Sequence, residues 1–170
     1  EYNYHVALGY SDLAHLARMK REYGESLALL DKAKQSISIL LVANPDHSIG
    51  LRLDGRLRLT KFDVLQTLNR HEEAKEELDE DTENRKTRAA ESPNNLVLQR
   101  DYANILLRVG SYFLEQEQLD KSIEQYELAR DFYIALVKAK PKNGQANRDL
   151  AWGYYFLGEA YIANGQHNTG

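Results

Sequence analysis

One stretch of this sequence occurs twice, as Arg100-Asp101-Tyr102-Ala103 and, 48 residues later, as Arg148-Asp149-Leu150-Ala151. The three prolines keep the same interval, since they lie at positions 45, 93 and 141. Each proline stands in a short polar segment of the kind that breaks helices and forms turns. Self-similarity at a fixed interval of this length indicates a repeat architecture.

The interval divides the chain into repeats at about 1–44, 45–92, 93–140 and a partial 141–170, and we expect them to form a single domain over residues 1–170. Residue types agree between repeats in columns. The first-half columns hold Ala7, Gly55, Ala103 and Ala151; Tyr10, Arg58, Leu106 and Tyr154; Ala14, Phe62, Gly110 and Gly158; and Ala17, Leu65, Phe113 and Tyr161. The second-half columns hold Ser26, Ala74 and Ser122; Leu30, Leu78 and Tyr126; and Ala33, Asp81 and Ala129. We expect these columns to form the core.

Each repeat is predicted to be a pair of helices, because its apolar residues recur at spacings of three and four. The first helices are predicted over 4–20, 50–69, 97–116 and 145–163. The second helices are predicted over 22–43, 71–90 and 119–139. No segment shows the sustained alternation of a strand, so the predicted fold class is all-α.

Composition excludes several classes of protein. The chain has 22 Lys and Arg residues against 26 Asp and Glu residues, and this mild acidity argues against nucleic-acid binding. It has no cysteine, which excludes disulfides and thiolate zinc sites and is compatible with the cytoplasm. The longest apolar run is 132–137, far short of the roughly 20 residues that span a bilayer, so no membrane insertion is expected.

The pattern Tyr154-x-x-Leu157-Gly158-x-x-Tyr161 resembles the tetratricopeptide repeat. The resemblance covers essentially the whole chain and implies a right-handed α-α superhelix of about 3.5 helical hairpins. The usual repeat has about 34 residues, and this longer one is similar to the long-helix repeats found beside bacterial signalling domains. The second repeat departs from the pattern at Lys61, Phe62 and Asp81, so we expect it to be the least tightly packed.

The resemblance implies a non-catalytic function, namely protein or peptide binding by a scaffold module of a larger signalling or regulatory protein. The first helices of such repeats line a concave groove, where residues point neither at the partner helix nor at the next repeat. Ten residues are expected to bind there, and we call them the groove residues. They are His15, Arg18, Arg56, Asp63, Gln66, Asn104, Leu107, Trp152, Tyr155 and Glu159. No cofactor is expected.

The aromatic last helix leaves alternatives open. The chain begins at Glu1 rather than Met, so we expect it to be a fragment of a longer protein. A solenoid normally ends in a polar cap, whereas residues 152–162 are rich in aromatic side chains. This end therefore predicts a homodimer through the last helix, or aromatic residues that further repeats cover.

No catalytic motif is found. The five histidines, at 5, 15, 47, 71 and 167, form no H-E-x-x-H pair, and no metal site is expected. The acidic run over 73–83 has the composition of a cation site, although a charged outer helix face is the simpler interpretation. The tyrosines are expected in the core rather than in base stacking.

Overall fold

A computed structural model describes residues 1–165, which form seven α-helices and no β-strand. The helices are α1 (Tyr2–Met19), α2 (Tyr23–Ala43), α3 (Ser48–Thr67), α4 (His71–Glu91), α5 (Leu96–Glu115), α6 (Leu119–Ala139) and α7 (Gly144–Ala163). Each predicted helix is present, with ends that differ from the prediction by two residues or fewer. The all-α prediction is therefore confirmed. The predicted domain also includes residues 166–170 and with them His167, which lie outside the described residues.

A residue with a left-handed backbone lies two positions after the last residue of each first helix (α1, α3, α5 and α7). Arg21, Asn69 and Glu117 have φ angles of 65°, 57° and 57°, and Gly165 has a φ angle of 71°. The amide of each one donates a hydrogen bond to the carbonyl three residues earlier. Because these four positions are 48 residues apart, the turn geometry follows the interval seen in the sequence.

The turns that lead into α3, α5 and α7 also recur at this interval. Their N-cap residues are His47, Asn95 and Asn143, each two residues after a proline. The Asn143 side-chain oxygen accepts hydrogen bonds from the amides two and three residues later, at 3.0 and 3.4 Å. Asn95 does the same, and His47 accepts one such bond through Nδ1. These caps satisfy amides that the first turn of a helix leaves unpaired.

The chain divides into two compact units, Glu1–Asp81 and Thr82–Gly170, with the boundary inside α4. In unit 1, α2 packs against both α1 and α3, and α1 also contacts α3. The Ser26 hydroxyl donates a buried 2.9 Å hydrogen bond to the carbonyl of Ala14. The core cluster of this unit consists of Ala7, Ala14, Leu30, Ala33, Ile37, Leu53 and Leu57.

In unit 2, α6 packs against both α5 and α7. A Cβ atom at Gly110 would lie 2.5 Å from the ring of Tyr126, so this close approach of α5 and α6 requires glycine. The Ser122 hydroxyl donates a 2.9 Å hydrogen bond to the carbonyl of Gly110. This bond matches the Ser26–Ala14 bond of unit 1 at positions 96 residues later, twice the repeat interval.

Ion pairs hold α3 to its neighbours in unit 1. Arg58 is only 8% exposed, and its guanidinium contacts Asp54 at 2.9 Å and also contacts Glu80. Lys61 Nζ lies 2.7 Å from Asp31 and 3.0 Å from Glu77. Arg58 and Lys61, which interrupt the apolar pattern of the sequence, therefore lie at positions where α3 contacts its neighbours. Phe62 and Asp81, the other departures, are buried.

Candidate protein-binding surface

The groove residues of unit 1 lie at the surface of α1 and α3. His15 and Arg56 are exposed, while Arg18, Asp63 and Gln66 are half-buried. The structure brings the two helices together here, because Arg56 Nη2 lies 3.5 Å from the hydroxyl of Ser11 on α1. His15 and Arg18 are also 3.5 Å apart, between Nδ1 and Nη2. The Gln66 side-chain oxygen lies 2.7 Å from His71 Nδ1.

A cleft of about 300 Å³ opens beside Arg56. Its walls combine two guanidinium groups with aromatic and aliphatic side chains, and they are formed by Tyr4, Ile49, Arg52, Leu53 and Arg56. Only Arg56 is among the groove residues. Tyr4 and Arg52 are 48 residues apart. Each lies four residues before a position of the column that contains the groove residue Arg56, namely before residues 8 and 56. Extending the columns by one helical turn would have identified them.

In unit 2 the predicted residues of α5 have structural contacts. The hydroxyl of Tyr133 donates a 2.7 Å hydrogen bond to the side-chain oxygen of Asn104. Burial raises the pKa of Tyr133 well above its ordinary value. Leu107 is half-buried and packs against a cluster that includes Tyr126 and Leu157. Asn104 and Leu107 therefore offer a partner only part of their side chains.

The groove residues of α7 form an exposed aromatic surface. Trp152 and Tyr155 are 55% and 52% exposed and meet edge to face, with ring centroids 5.6 Å apart. Trp152 also stacks on Phe156, which in turn stacks on the buried Tyr126 at 5.7 Å. The Tyr155 hydroxyl donates a 2.6 Å hydrogen bond to Glu159, and this bond raises the pKa of Tyr155. A rigid aromatic surface anchored in the core is the kind that dominates interfaces.

The repeated Arg-Asp stretch has a structural explanation. Arg100 of α5 donates to both carboxylate oxygens of Asp149 on α7, at 2.5 and 3.3 Å. Asp149 is buried and also accepts a 2.6 Å hydrogen bond from Gln145. The hydrogen bond to Asp149 raises the pKa of Arg100. The arginine of one repeat thus pairs with the aspartate of the next, a pairing that the sequence analysis did not identify.

Two column assignments are wrong at α7. Leu106 is 1% exposed, as expected for the core, but Tyr154 in the same column is 53% exposed. Ala151 is also exposed, although Ala7, Gly55 and Ala103 in its column are buried. The reason is that α2, α4 or α6 follows each earlier first helix, whereas no helix follows α7 within residues 1–165.

Ion pairs bind much of the acidic run on α4. Glu77 lies 2.9 Å from Lys34, Lys75 pairs with Asp79, and Glu83 lies 3.4 Å from Lys86. Among the described residues, no group of His, Asp and Glu side chains is arranged to hold a metal ion. Over the same part of the chain, no helix has the length and apolar character needed to cross a bilayer.

No protein-family model matches this chain, and no curated protein matches it either. The structure defines an all-α class, with helices that meet at turns of recurring geometry. Its surface offers two features suited to binding, the cleft beside Arg56 in unit 1 and the aromatic face of α7 in unit 2.

Proposed function

We propose that this protein is a tetratricopeptide-like repeat module whose function is to bind a protein or peptide partner. In this proposal its hairpins form a right-handed α-α superhelix, and the module is the scaffold part of a larger signalling or regulatory protein. The recurrence of turns and caps at 48-residue spacing, and of the serine-to-carbonyl hydrogen bond at twice that spacing, supports the repeat assignment. The partner then lies along the first helices.

The observation that carries this function is the position of the groove residues. None of the ten is in the buried core, although α1, α3, α5 and α7 all contribute to that core. The residues of unit 1 offer cations, a carboxylate and an amide, with Arg56 beside the cleft, and those of α7 offer aromatic rings. A peptide with one polar and one apolar portion matches these chemical characters.

The proposed function involves no reaction at this surface. Arg56, Trp152 and Tyr155 are residue types that dominate interfaces through area and hydrogen bonding. Recognition therefore rests on shape, aromatic contact and charge.

Affinity capture from cell lysate with quantitative mass spectrometry tests this proposal. We expect Arg56→Glu and Tyr155→Ala each to lower recovery of a specific partner by about tenfold or more, a loss in the range of interface hot spots. Two matched controls should keep the partner. Lys138→Glu reverses an exposed charge on α6, and Tyr154→Ala removes an equally exposed tyrosine from another side of α7.

Circular dichroism and thermal unfolding establish that the variants are folded. A partner that survives both Arg56→Glu and Tyr155→Ala would contradict binding at the groove residues. A partner lost only with Lys138→Glu would move the binding surface to the second helices.

The second candidate function is self-association through α7. The specific observation that favours it is the exposure of four large side chains on this one helix, Trp152, Tyr154, Tyr155 and Ile162. Sedimentation velocity over a range of concentrations should then show a mass that doubles, and Trp152→Ala should abolish the doubling. A monomeric mass at the highest concentration would exclude this function.

A further inference from the structure

The cleft beside Arg56 holds two arginine side chains that lack a counter-charge. Arg52 and Arg56 lie four residues apart on α3, about one helical turn, and both are exposed. Like charges at this spacing on a helix repel each other. Among residues 1–165, neither guanidinium lies within ion-pairing distance of a carboxylate, and their one hydrogen bond joins Arg56 Nη2 to the hydroxyl of Ser11 at 3.5 Å. An anion between the two side chains would relieve their repulsion.

A third arginine of the same helix shows the contrast. Arg58 is buried and contacts the carboxylates of Asp54 and Glu80. Its charge is therefore compensated inside unit 1, whereas the charges of Arg52 and Arg56 remain available at the wall of an open cleft. Because the whole chain has a net charge of -4, this positive charge is a local property of the cleft.

The cleft also has apolar walls on a fixed base. Leu53 is 4% exposed and belongs to the core cluster of unit 1, and Tyr4 packs against that cluster. The ring of Tyr4 also meets the rings of His5 and His47, with centroids 5.5 and 6.5 Å apart. Ile49, another wall residue, is 47% exposed. An apolar group carried next to the anion would therefore find a surface to cover.

The size and the walls of the cleft limit the anion. A volume of about 300 Å³ is at the small end of ligand sites, so it has room for one or two side chains. A guanidinium can donate two parallel hydrogen bonds to a carboxylate. A phosphate group presents three strong acceptor oxygens, and Ile49 and Leu53 have no donor to replace their water. A carboxylate on an aliphatic stem therefore fits these walls better.

We propose that this cleft binds a glutamate side chain of the partner peptide, with an apolar neighbour of that glutamate covering Ile49. The proposal rests on the proposed function, since it names the chemistry of the peptide segment that contacts unit 1. The carboxylate lies between Arg52 and Arg56 and accepts hydrogen bonds from both guanidinium groups. The partner segment is thus acidic and apolar at adjacent positions.

An NMR titration of the ¹⁵N-labelled chain of residues 1–170 with the peptide acetyl-Leu-Glu-Leu-amide tests this proposal. The blocked ends leave the glutamate as the only charge of the peptide. We expect saturable shifts of the Nε–Hε signals of Arg52 and Arg56. Acetyl-Leu-Gln-Leu-amide has nearly the same shape without the charge, and it should bind about fivefold more weakly, the value of a solvent-exposed ion pair.

The decisive protein variant is Arg52→Gln, because Arg52 is not among the groove residues. It should lower the affinity for the glutamate peptide about fivefold. Arg148→Gln, the same change at an exposed arginine of α7, is the matched control and should leave the affinity unchanged. Ile49→Ala should weaken binding of the peptide but not of acetate, which has no large apolar group. Circular dichroism should show the same helix content in all three variants, since each side chain is exposed.

Four outcomes would overturn the proposal. The first is the absence of saturable shifts, and the second is equal affinity for the glutamate and glutamine peptides. The third is unchanged affinity in Arg52→Gln, which would place the peptide outside the cleft. The fourth is binding of acetyl-Leu-phosphoserine-Leu-amide that is fivefold or more tighter than that of the glutamate peptide, which would make a phosphate group the ligand.

The titration fails or succeeds separately from the capture experiment. If Arg56→Glu abolishes partner capture and the glutamate peptide does not bind, the proposed function holds and the glutamate assignment is wrong. If the peptide binds in the cleft and the captured partner tolerates both Arg56→Glu and Tyr155→Ala, the proposed function is wrong and the preference of the cleft for a carboxylate stands.

Discussion

The α3–α4 and α5–α6 hairpins contrast in what holds them together. Glu117, before α6, and Asn69, before α4, have the same φ angle of 57°. Yet Arg58, 8% exposed and bound by carboxylates, occupies the column that Leu106 fills in the second hairpin. Lys61 likewise takes the column of Val109. The geometry of turns and caps therefore sets where these helices end. The contacts between the two helices of a hairpin can then be either apolar or ionic.

Burial disfavours the charge of Arg58, but the hydrogen bonds to Glu80 and Asp54 outweigh it, so the pKa of Arg58 lies above its ordinary value. In the α5–α6 hairpin, the corresponding packing is made by Tyr126, which is fully buried against Gly110. We call α5–α6 the apolar hairpin and α3–α4 the ionic hairpin. We therefore expect the stability of the apolar hairpin to fall most when side-chain volume is removed, and that of the ionic hairpin to fall most when a charge is removed.

The largest effect is expected from Tyr126→Ala. Removing this fully buried ring should lower the free energy of unfolding by about 4 kcal/mol, through lost transfer energy and the cavity that remains. Tyr154→Ala, at a tyrosine that is 53% exposed, should change it by no more than about 0.5 kcal/mol. Urea unfolding measures both, and equal losses would contradict the burial assigned to Tyr126.

The ionic hairpin is tested by Arg58→Met. This change keeps most of the side-chain volume but leaves Asp54 and Glu80 without their shared cation, so we expect a loss of about 3 kcal/mol. Arg52→Met, at an exposed arginine one and a half turns earlier on α3, is the control and should have little effect. If Arg58→Met unfolds no more easily than the control, the ion pairs do not stabilise unit 1.

Acid should loosen unit 1. The hydrogen bond from Arg58 lowers the pKa of Glu80, and the hydrogen bond from Arg70 lowers that of Glu73. A lowered pKa in the folded state gives stability above the unfolded pKa of about 4.3, and this stability is lost as pH falls through the folded value. Hydrogen exchange should show faster opening of residues 54–80 below about pH 4. Glu80→Gln should weaken this pH dependence, and an unchanged profile would contradict the role of the Glu80 pair.

The smallest effect concerns a turn. Glu117 has a left-handed backbone that disfavours a side chain, so Glu117→Gly should raise the free energy of unfolding by about 1 kcal/mol. Glu115→Gly, two residues earlier and inside α5, should lower it by a similar amount. Thermal unfolding of the pair measures the difference, and a loss of stability in both variants would contradict the turn geometry.

The sequence alone predicted the helices closely, because prolines, caps and apolar spacing are local signals. It did not predict which charges meet, since the Arg58–Glu80 and Arg100–Asp149 contacts join residues 22 and 49 positions apart. The prediction that Tyr154 lies in the core was wrong. Its column is shared with α1, α3 and α5, each of which is followed by a second helix, and the column does not reveal that α7 has no such helix after it within residues 1–165. The cleft was missed because Tyr4 and Arg52 precede the columns that the repeat pattern defines.

Hydrogen exchange of the chain with and without its captured partner tests whether the partner lies along the first helices. If the partner lies along the first helices, protection should appear on the exposed sides of α1, α3, α5 and α7, with the largest change around Arg56 and around 152–159. Protection confined to α2, α4 and α6, with those segments unchanged, would contradict the account.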